Sequence, residues 1–301
     1  GLQAAFLLGG AVVTETMDLA GNRSLILTQN TYKVLQRWDG TSLGLLRPTE
    51  IRTTTEFVSL DGTTGTTVSD VLHHFTDGSE ALSGIVSTDP LAQTDYVELD
   101  PNAAGTFRVK GSFIDPYTGR MVVGLLKEVE DLGPALTQTV DLAGTHVTSR
   151  LETVYGTALG QARALETLNI SATVSPDSTT SSTQTRTLFS YTTGKEQLDG
   201  LASTDPLVTG TDYTEPDPNA PGSFRVKDGK DGFRSKLTGG MVQGLLKQAQ
   251  DGTVSYVDPF DGKTKTYTGG VGTGQNGWGD VTLTLTNTDY IVRRGQARAT
   301  H

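Results

Sequence analysis

The feature that most constrains this chain is a stretch that it contains twice. Residues 71–131 return at 187–251 with runs of identity between them, and the offset between the two copies changes only in small steps. An earlier segment is also duplicated, because residues 14–34 match residues 137–157. Identical runs separated by small slips indicate one folded unit that was duplicated and then adjusted in its loops.

The composition and the residue pattern favour β-structure. The chain is rich in Thr and contains 36 Gly, a combination that suits pleated strands joined by tight turns. Polar and apolar residues alternate from Glu50 to Phe57, as expected for a strand with one buried face. We therefore expect an all-β fold of two tandem, duplicated β-sandwich-like domains with an extended N-terminal arm and a β-rich C-terminal tail.

The repeats set the expected boundaries. We place the domains as an N-terminal arm at 1–13, β-domain repeat 1 at 14–133, β-domain repeat 2 at 134–251, and a hairpin-rich tail or partial third unit at 252–301. The tail qualifies as a partial repeat because Thr-Asp-Tyr recurs at 288–290. The apolar arm is too short to span a bilayer, so we expect a strand that inserts into a neighbouring copy or into the first domain.

Turn residues locate the hairpins. Asp-Leu-Ala-Gly at 18–21 and at 141–144 predicts a hairpin turn, with Gly at the positive-φ position and Asp as a side-chain acceptor. Period-two alternation at 106–110 and 223–227 places Phe107, Val109 and their counterparts toward a core.

Two segments are less clear. Residues 158–168 have modest helical character and predict a short helix. Residues 121–127 and 241–247 are apolar around a central Gly, which suits a buried strand with a bulge or a short helix equally well.

Charge and Cys content exclude some classes of function. The net charge is −10 and no basic stripe is present, so we expect no nucleic-acid partner. The chain has no Cys, which excludes a disulfide framework and thiolate metal sites.

The patterns typical of enzymes lack their usual context. Gly40 to Gly44 fits G-x-S-x-G, but Pro48 lies where the required helix would run. Gly272 to Gly277 fits G-x-G-x-x-G, but a strand-like segment follows it. His73 and His74 are adjacent on an expected strand, so their rings point to opposite faces. We predict no catalytic and no cofactor-binding residues, and we expect a protein that is not an enzyme.

Paired acidic residues are the candidates for a metal site. Glu98 and Asp100, and likewise Glu215 and Asp217, are two residues apart beside an Asp-Pro turn, so their carboxylates share one face. This arrangement suits Ca²⁺, while solvated turn residues explain it as well.

One motif suggests a family. The sequence Gly-Thr-Asp-Tyr-Thr, followed by a turn and Ser-Phe-Arg-Val at 210–226, resembles the strand-turn-strand signature of tandem immunoglobulin-like β-sandwich repeats in bacterial surface proteins and tailed-phage structural proteins. The resemblance covers about a third of each unit. It implies a sandwich fold, although each unit here is longer than the usual domain of ~100 residues.

Together these features favour a non-enzymatic, self-assembling structural protein. We expect a bacteriophage virion component (decoration, tail or fibre) or a subunit of an extracellular filament or surface layer, located outside the cell in either case. The expected partners are copies of the same chain, which would meet through the arm at 1–13 and the tail at 252–301.

The alternative is an adhesin or glycan-binding module that stacks exposed aromatic rings on sugars. The candidate rings are Trp38, Tyr117, Tyr256, Phe260 and Trp278.

Overall fold

A computed structural model gives the structure of the chain, and it confirms the all-β fold class. The structure describes residues 2–8, 11–36, 42–77, 84–114, 119–120, 123–158, 160–193, 196, 200–227 and 244–300, with the backbone alone for 2–8, 36 and 42–45. The chain divides into two compact units. Unit 1 comprises residues 1–164, 168–184 and 272–282, and unit 2 comprises residues 165–167, 185–271 and 283–301.

Unit 1 is built on a long antiparallel sheet. Its first eight strands are β1 (Leu2–Leu8), β2 (Ala11–Met17), β3 (Arg23–Gln36), β4 (Ser42–Val58), β5 (Thr64–Phe75), β6 (Val97–Leu99), β7 (Phe107–Val109) and β8 (Leu126–Val140). They are followed by β9 (His146–Ala158), β10 (Gln161–Val174) and β11 (Thr180–Tyr191), of which β10 and β11 are shared with unit 2. The strand order in the sheet is β1-β2-β3-β4-β5-β8-β9-β10-β11, and β6 pairs with β7 in a separate hairpin.

The register of the sheet separates its two faces. Directly paired residues form an apolar row across five strands, defined by Val13, Leu27, Val68 and Leu136 with Thr54 between them. The opposite face carries hydroxyl groups, and the Oγ atoms of Thr67 and Thr137 lie 2.9 Å apart. Since strand side chains alternate between faces, the Thr-rich sequence places a mainly hydroxyl-bearing surface behind the apolar row.

Tight turns close one end of this sheet. The turn at Asp18 to Asn22 is of the predicted kind, because the backbone N–H of Asn22 donates to Asp18 Oδ1 at 3.0 Å and Gly21 has a φ of 90°. The turn after β8 repeats it, with the N–H of Thr145 donating to Asp141 Oδ1 at 2.8 Å. The prediction of a hairpin turn at each Asp-Leu-Ala-Gly is therefore confirmed.

The second half of the duplicated stretch forms a small module between two neighbouring strands. Module 1 (residues 76–126) joins β5 to β8, and it is closed at its base by Thr76. The Thr76 N–H donates to the Leu125 carbonyl and the Gly124 N–H donates to the Thr76 carbonyl, both at 2.8 Å. The Thr76 hydroxyl also accepts the Leu125 N–H at 3.0 Å.

Module 1 has its own small core. Asp89 accepts the N–H of Leu91 at 2.8 Å and begins a 3₁₀ turn at Pro90–Gln93, which buries Leu91. The β6–β7 hairpin adds Val97 and Val109, so the predicted inward direction of Val109 is confirmed. The buried cluster consists of Ile85, Leu91, Tyr96, Val97 and Val109.

Unit 2 contains the second copy. Its elements are the short helix α1 (Pro206–Thr209) and the strands β12 (Thr214–Pro216), β13 (Phe224–Val226), β14 (Leu246–Asp251), β15 (Thr253–Val257) and β16 (Thr264–Thr268). The remaining strands are β17 (Gly270–Gln275), β18 (Val281–Thr286), β19 (Tyr290–Arg293) and β20 (Gln296–Ala299), of which β17 and β18 are shared with unit 1. Within the tail, which was expected to be rich in hairpins, β15 and β16 form a hairpin around Asp-Pro-Phe-Asp-Gly.

Module 2 (residues 192–246) joins β11 to β14 and repeats the hydrogen bonds of module 1. The Thr192 hydroxyl accepts the Leu245 N–H at 3.0 Å, and Asp205 accepts the Leu207 N–H at 2.8 Å. Its core cluster is Leu201, Leu207, Tyr213, Val226 and Leu246, with Val292 added from β19.

Two local expectations need correction or completion. None of the described residues from 158 to 168 is helical, because β9 ends at Ala158 and β10 begins at Gln161 and runs as a strand through this segment. Tertiary pairing thus overrides a weak helix propensity. β6 begins only at Val97, because Thr94 ends the 3₁₀ turn. The arm forms β1, which pairs with β2 of the same chain.

The apolar segments at 121–127 and 241–247 lie partly outside the described residues. In the described part, strand structure begins at Leu126 and Leu246. Among the described residues, no helix has the length and apolar character needed to cross a bilayer.

Candidate functional site

The strongest candidate site is a cavity of about 550 Å³ in unit 1, beside module 1. It lies among strand ends and turns of five separate parts of the chain. The lining residues are Arg47, Pro48, His73, Phe75, Tyr96, Gly124, Leu125, Leu126, Gly160, Gln161 and Ala162. Its volume is within the range of ligand pockets in proteins.

Arg47 supplies the positive charge of the cavity. It lies on β4, and its guanidinium carbon is 5.9 Å from the ring centroid of Phe75. The Nε atom is buried and has no hydrogen-bond partner among the described residues. A buried donor without a partner is costly unless a ligand or water satisfies it.

His73 forms part of the wall. It lies two residues before Phe75 on β5, and the two rings are stacked with centroids 6.4 Å apart. Its Nδ1 atom is buried without a hydrogen-bond partner in the described part of the chain. Burial, with a smaller effect of the neighbouring His74, lowers the pKa of His73, so the ring is neutral near pH 7.

Tyr96 closes the inner side of the cavity. The residue is 1% exposed, and burial raises the pKa of its hydroxyl to about 12. The hydroxyl makes no hydrogen bond of ordinary geometry to a described residue, although the backbone amide of Leu126 lies near it. Tyr96 therefore offers a neutral O–H group to the cavity.

The cavity contrasts with the charge of the whole chain. Among the lining residues that the structure describes there is no Asp or Glu, although the net charge of the chain is −10. The described charged group in the wall is the guanidinium of Arg47. An anionic group could enter here without meeting a lining carboxylate.

The corresponding place in unit 2 has an apolar filling. Phe189 occupies the position of His73, and Tyr191 that of Phe75. Both pack against the module 2 core, as do Leu245 and Ala297. The same scaffold thus has apolar packing in one copy and a polar cavity in the other.

A hairpin turn approaches the buried Tyr in each unit. A Cβ placed on Gly160, which joins β9 to β10, would lie 3.3 Å from the Tyr96 hydroxyl. One placed on Gly295, which joins β19 to β20, would lie 4.0 Å from the Tyr213 hydroxyl. Both glycines have positive φ, 72° and 75° respectively.

A further repeated segment of the sequence, outside the repeats compared above, coincides with these two turns. Gly-Gln-Ala-Arg-Ala occurs at 160–164 and again at 295–299. Together with the Thr-Asp-Tyr at 288–290, this identity relates the end of the tail to the β9–β10 hairpin.

Unit 2 has a cavity of about 420 Å³ at a different place, beside α1, β14 and β19. Its wall contains both Lys247 and Asp289. Opposite charges on one surface give no preference for a ligand of either sign.

The Ca²⁺ candidates have other partners. Glu98 pairs with Arg108 at 2.7 Å, and Glu215 pairs with Arg225 at 2.9 Å. Asp100 and Asp217 accept turn N–H groups, from Asn102 at 2.9 Å and Asn219 at 2.8 Å. In the described part of the chain, no three His, Asp or Glu side chains gather as metal ligands would.

The enzyme-like motifs lie on strands and turns. Gly40 and Thr41 are outside the described residues, and β4 begins at Ser42. The Gly272 to Gly277 motif runs along β17 into a turn and then into β18. His73 and His74 lie side by side on β5, with His74 3.6 Å from Glu130.

The candidate sugar-stacking rings are partly described. Trp278 is 93% exposed at a turn, and Phe260 is 67% exposed at another. Tyr256 is partly buried on β15. Trp38 and Tyr117 lie outside the described residues.

Comparison with known proteins identified no relative: no family model, no curated protein and no solved structure matches the chain.

Proposed function

We propose that this chain is a non-enzymatic structural protein that assembles with copies of itself. The observation that carries the proposal is that the long strands of the sheet bury little of their surface. None of the described residues from Asp131 to Tyr191 is buried, although this range contains most of β8 and all of β9, β10 and β11. Sheets gain stability by burying a face against another layer, so these strands need a partner surface.

The apolar row supports a second copy as that partner. Leu136 is 39% exposed in the row, and Leu25 is 38% exposed on the same face of the sheet. From β2 to β8 the apolar row carries no charged residue, and such a row can meet the same row of another copy. The duplicated sequence, the lack of Cys and the acidic charge favour a virion component of a bacteriophage, or a subunit of an extracellular filament or surface layer.

The test is the mass of the purified chain in solution as a function of concentration. Light scattering coupled to gel filtration is expected to show an oligomer, and Leu136→Lys is expected to shift it toward monomer. Leu19→Lys is the matched control, because Leu19 is 98% exposed in a turn. A wild-type chain that stays monomeric at high concentration would contradict the proposal, as would equal effects of the two substitutions.

The second candidate function is glycan binding, and the exposure of Trp278 favours it. A bare indole ring at a turn is a suitable stacking surface for a sugar. A glycan array with the wild type and with Trp278→Ala tests this function. Hits that the substitution removes would support it, and an array without hits would exclude it.

A further inference from the structure

The geometry points to a ligand site in the unit 1 cavity: it binds the carboxylate of a small organic acid, held by Arg47 and by the hydroxyl of Tyr96. The site is independent of assembly through the sheet. It differs also from sugar stacking on Trp278, which is not among the lining residues.

The first step of the argument is the set of polar atoms left without partners. Arg47 Nε and His73 Nδ1 are buried without a hydrogen-bond partner among the described residues, and the buried Tyr96 Oη has only the backbone amide of Leu126 near it, outside ordinary hydrogen-bond geometry. All three residues line the same cavity. Buried polar groups in native proteins are normally paired, so a cluster of three beside a cavity indicates that the partner is a molecule in the cavity.

The second step is the chemistry of these groups. A guanidinium is planar and binds a carboxylate through two parallel hydrogen bonds. The hydroxyl of Tyr96 stays protonated at neutral pH and can donate a further hydrogen bond. One cation and one neutral donor match a single negative charge better than the double charge of a phosphate.

The third step is the remainder of the wall. Phe75, Pro48, Leu125 and Ala162 are apolar and would contact the body of the acid. A volume of about 550 Å³ accommodates a ring with a carboxylate. The exposed side chain of Gln161 faces solvent on one side of the cavity and is fixed by Arg163, whose Nη2 donates to Gln161 Oε1 at 2.8 Å.

The fourth step is the internal control that the duplication provides. Module 2 has the same hydrogen-bonded skeleton, yet Phe189 and Tyr191 pack against its core. The Tyr hydroxyl is buried in both copies, so the difference between them is His73 Nδ1, a buried polar atom at the position where unit 2 has the apolar ring of Phe189. A ligand in the cavity explains why the first copy carries this atom.

The test is titration of the full chain with benzoate and with glucuronate, followed by calorimetry and by NMR. Each acid is compared with its neutral counterpart, benzyl alcohol or glucose. We expect at least one acid to bind about tenfold or more tightly than its neutral counterpart, because hydrogen bonds to charged groups are the stronger ones. Tighter binding of benzoate or of glucuronate then identifies an aromatic or a hydroxylated body.

Three variants assign the site. Arg47→Gln is expected to weaken binding about tenfold or more, and Tyr96→Phe by a smaller factor. His73→Phe installs the ring that unit 2 carries, removes a buried polar atom from the wall and is expected to weaken binding without loss of thermal stability. Tyr213→Phe makes the same change in unit 2 and is expected to leave affinity unchanged.

Several results would overturn the proposal. They are the absence of binding by both acids up to about 10 mM, equal binding of the acids and their neutral counterparts, and unchanged affinity in Arg47→Gln. Circular dichroism of each variant establishes that it folds. Should Arg47→Gln unfold, Tyr96→Phe decides, since unchanged affinity in that variant contradicts the site.

Discussion

Module 1 and module 2 have the same skeleton and different packing around it. In each, a Thr hydroxyl closes the base, an Asp begins a short helical turn, and an Arg–Glu pair holds a two-stranded hairpin. Around module 2, aromatic rings and Val292 complete an apolar core. Around module 1, the equivalent strand carries His73, and a cavity lies beside it. The hydrogen bonds thus maintain the module, while the residues on the adjoining strands decide whether a cavity forms.

The largest expected effect is a loss of stability in each module. It tests whether the two modules depend equally on their buried Leu residues. Leu91 and Leu207 are 1% and 0% exposed, respectively, and each follows the Asp-Pro that starts its turn. Leu91→Ala and Leu207→Ala should each lower the free energy of unfolding of their module by about 2 to 5 kcal/mol, because each leaves a cavity in a small core. Hydrogen exchange at Thr76 and Thr192 measures each module separately. The exposed Leu99 supplies the control, Leu99→Ala.

An exchange of residues between the copies addresses the packing difference. Phe189→His should destabilise unit 2 by about 1 to 3 kcal/mol, because it places an unpaired polar ring against an apolar core. His73→Phe in unit 1 should be neutral or stabilising. Chemical unfolding of the two variants measures this, and a stable Phe189→His would show that the apolar filling of unit 2 is dispensable.

The turn glycines give a smaller effect. Gly160→Ala and Gly295→Ala should each cost about 1 to 2 kcal/mol, because both positions have positive φ. Gly160→Ala should cost more, since its Cβ would also lie 3.3 Å from the Tyr96 hydroxyl. Gly84→Ala isolates the backbone contribution, because φ is 74° there and no atom lies within 4 Å of the added Cβ. Thermal unfolding ranks the three variants, and equal losses would remove the role assigned to the Tyr96 contact.

The pH dependence of stability should also distinguish the copies. The folded-state pKa of His73 lies below its ordinary value of 6.5, chiefly through burial. The unfolded chain therefore binds this proton more readily, so stability falls as the pH drops from above 6.5 toward the folded-state pKa. The groups near His73 are His74, Arg47 and, beyond His74, Glu130. His73→Phe should remove this part of the pH profile, and a profile unchanged by the substitution would contradict it.

The smallest effect concerns the turns that close the sheet of unit 1. Hydrogen bonds from turn N–H groups lower the pKa of Asp141 and Asp177, chiefly from the amides of Thr145 and Thr179. These contributions are present above the ordinary Asp pKa of 3.8 and are lost as the pH falls through the lower folded values. Asp141→Asn keeps the acceptor and loses the charge. This substitution should flatten the plot of the free energy of unfolding against pH below pH ~4, and it should change the stability little at neutral pH. Chemical unfolding at a series of pH values measures it.

The sequence predicted the parts of the fold that depend on neighbouring residues. The Asp-Leu-Ala-Gly turns, the β6–β7 hairpin and the inward direction of Val109 follow from turn chemistry and period-two patterns. The helix expected at 158–168 was wrong because strand pairing outweighs a weak propensity. The pentapeptide Gly-Gln-Ala-Arg-Ala occurs at both 160–164 and 295–299, outside the repeats that predicted the domains. Its recurrence would have indicated that the β9–β10 and β19–β20 hairpin turns are related.

The cavity could not be predicted in the same way. Its polar groups come from β4, β5 and module 1, and no short motif joins Arg47, His73 and Tyr96. Contacts with partner copies were expected through the arm at 1–13 and the tail at 252–301, whereas the described residues that line this cavity lie between 47 and 162. Long-range placement, and not local pattern, brings them together.

The Thr76 contacts have a consequence for how such a chain can change over generations. Entry to and exit from module 1 are adjacent, since Thr76 meets both Gly124 and Leu125. A gene segment that encodes residues 77–123 can therefore be deleted, exchanged or extended without a shift in the pairing of β5 with β8. The chain itself offers the shortened form, because only two residues separate β1 from β2 in the same antiparallel arrangement. Recombination at these two points would produce variants that differ in ligand and keep the same sheet.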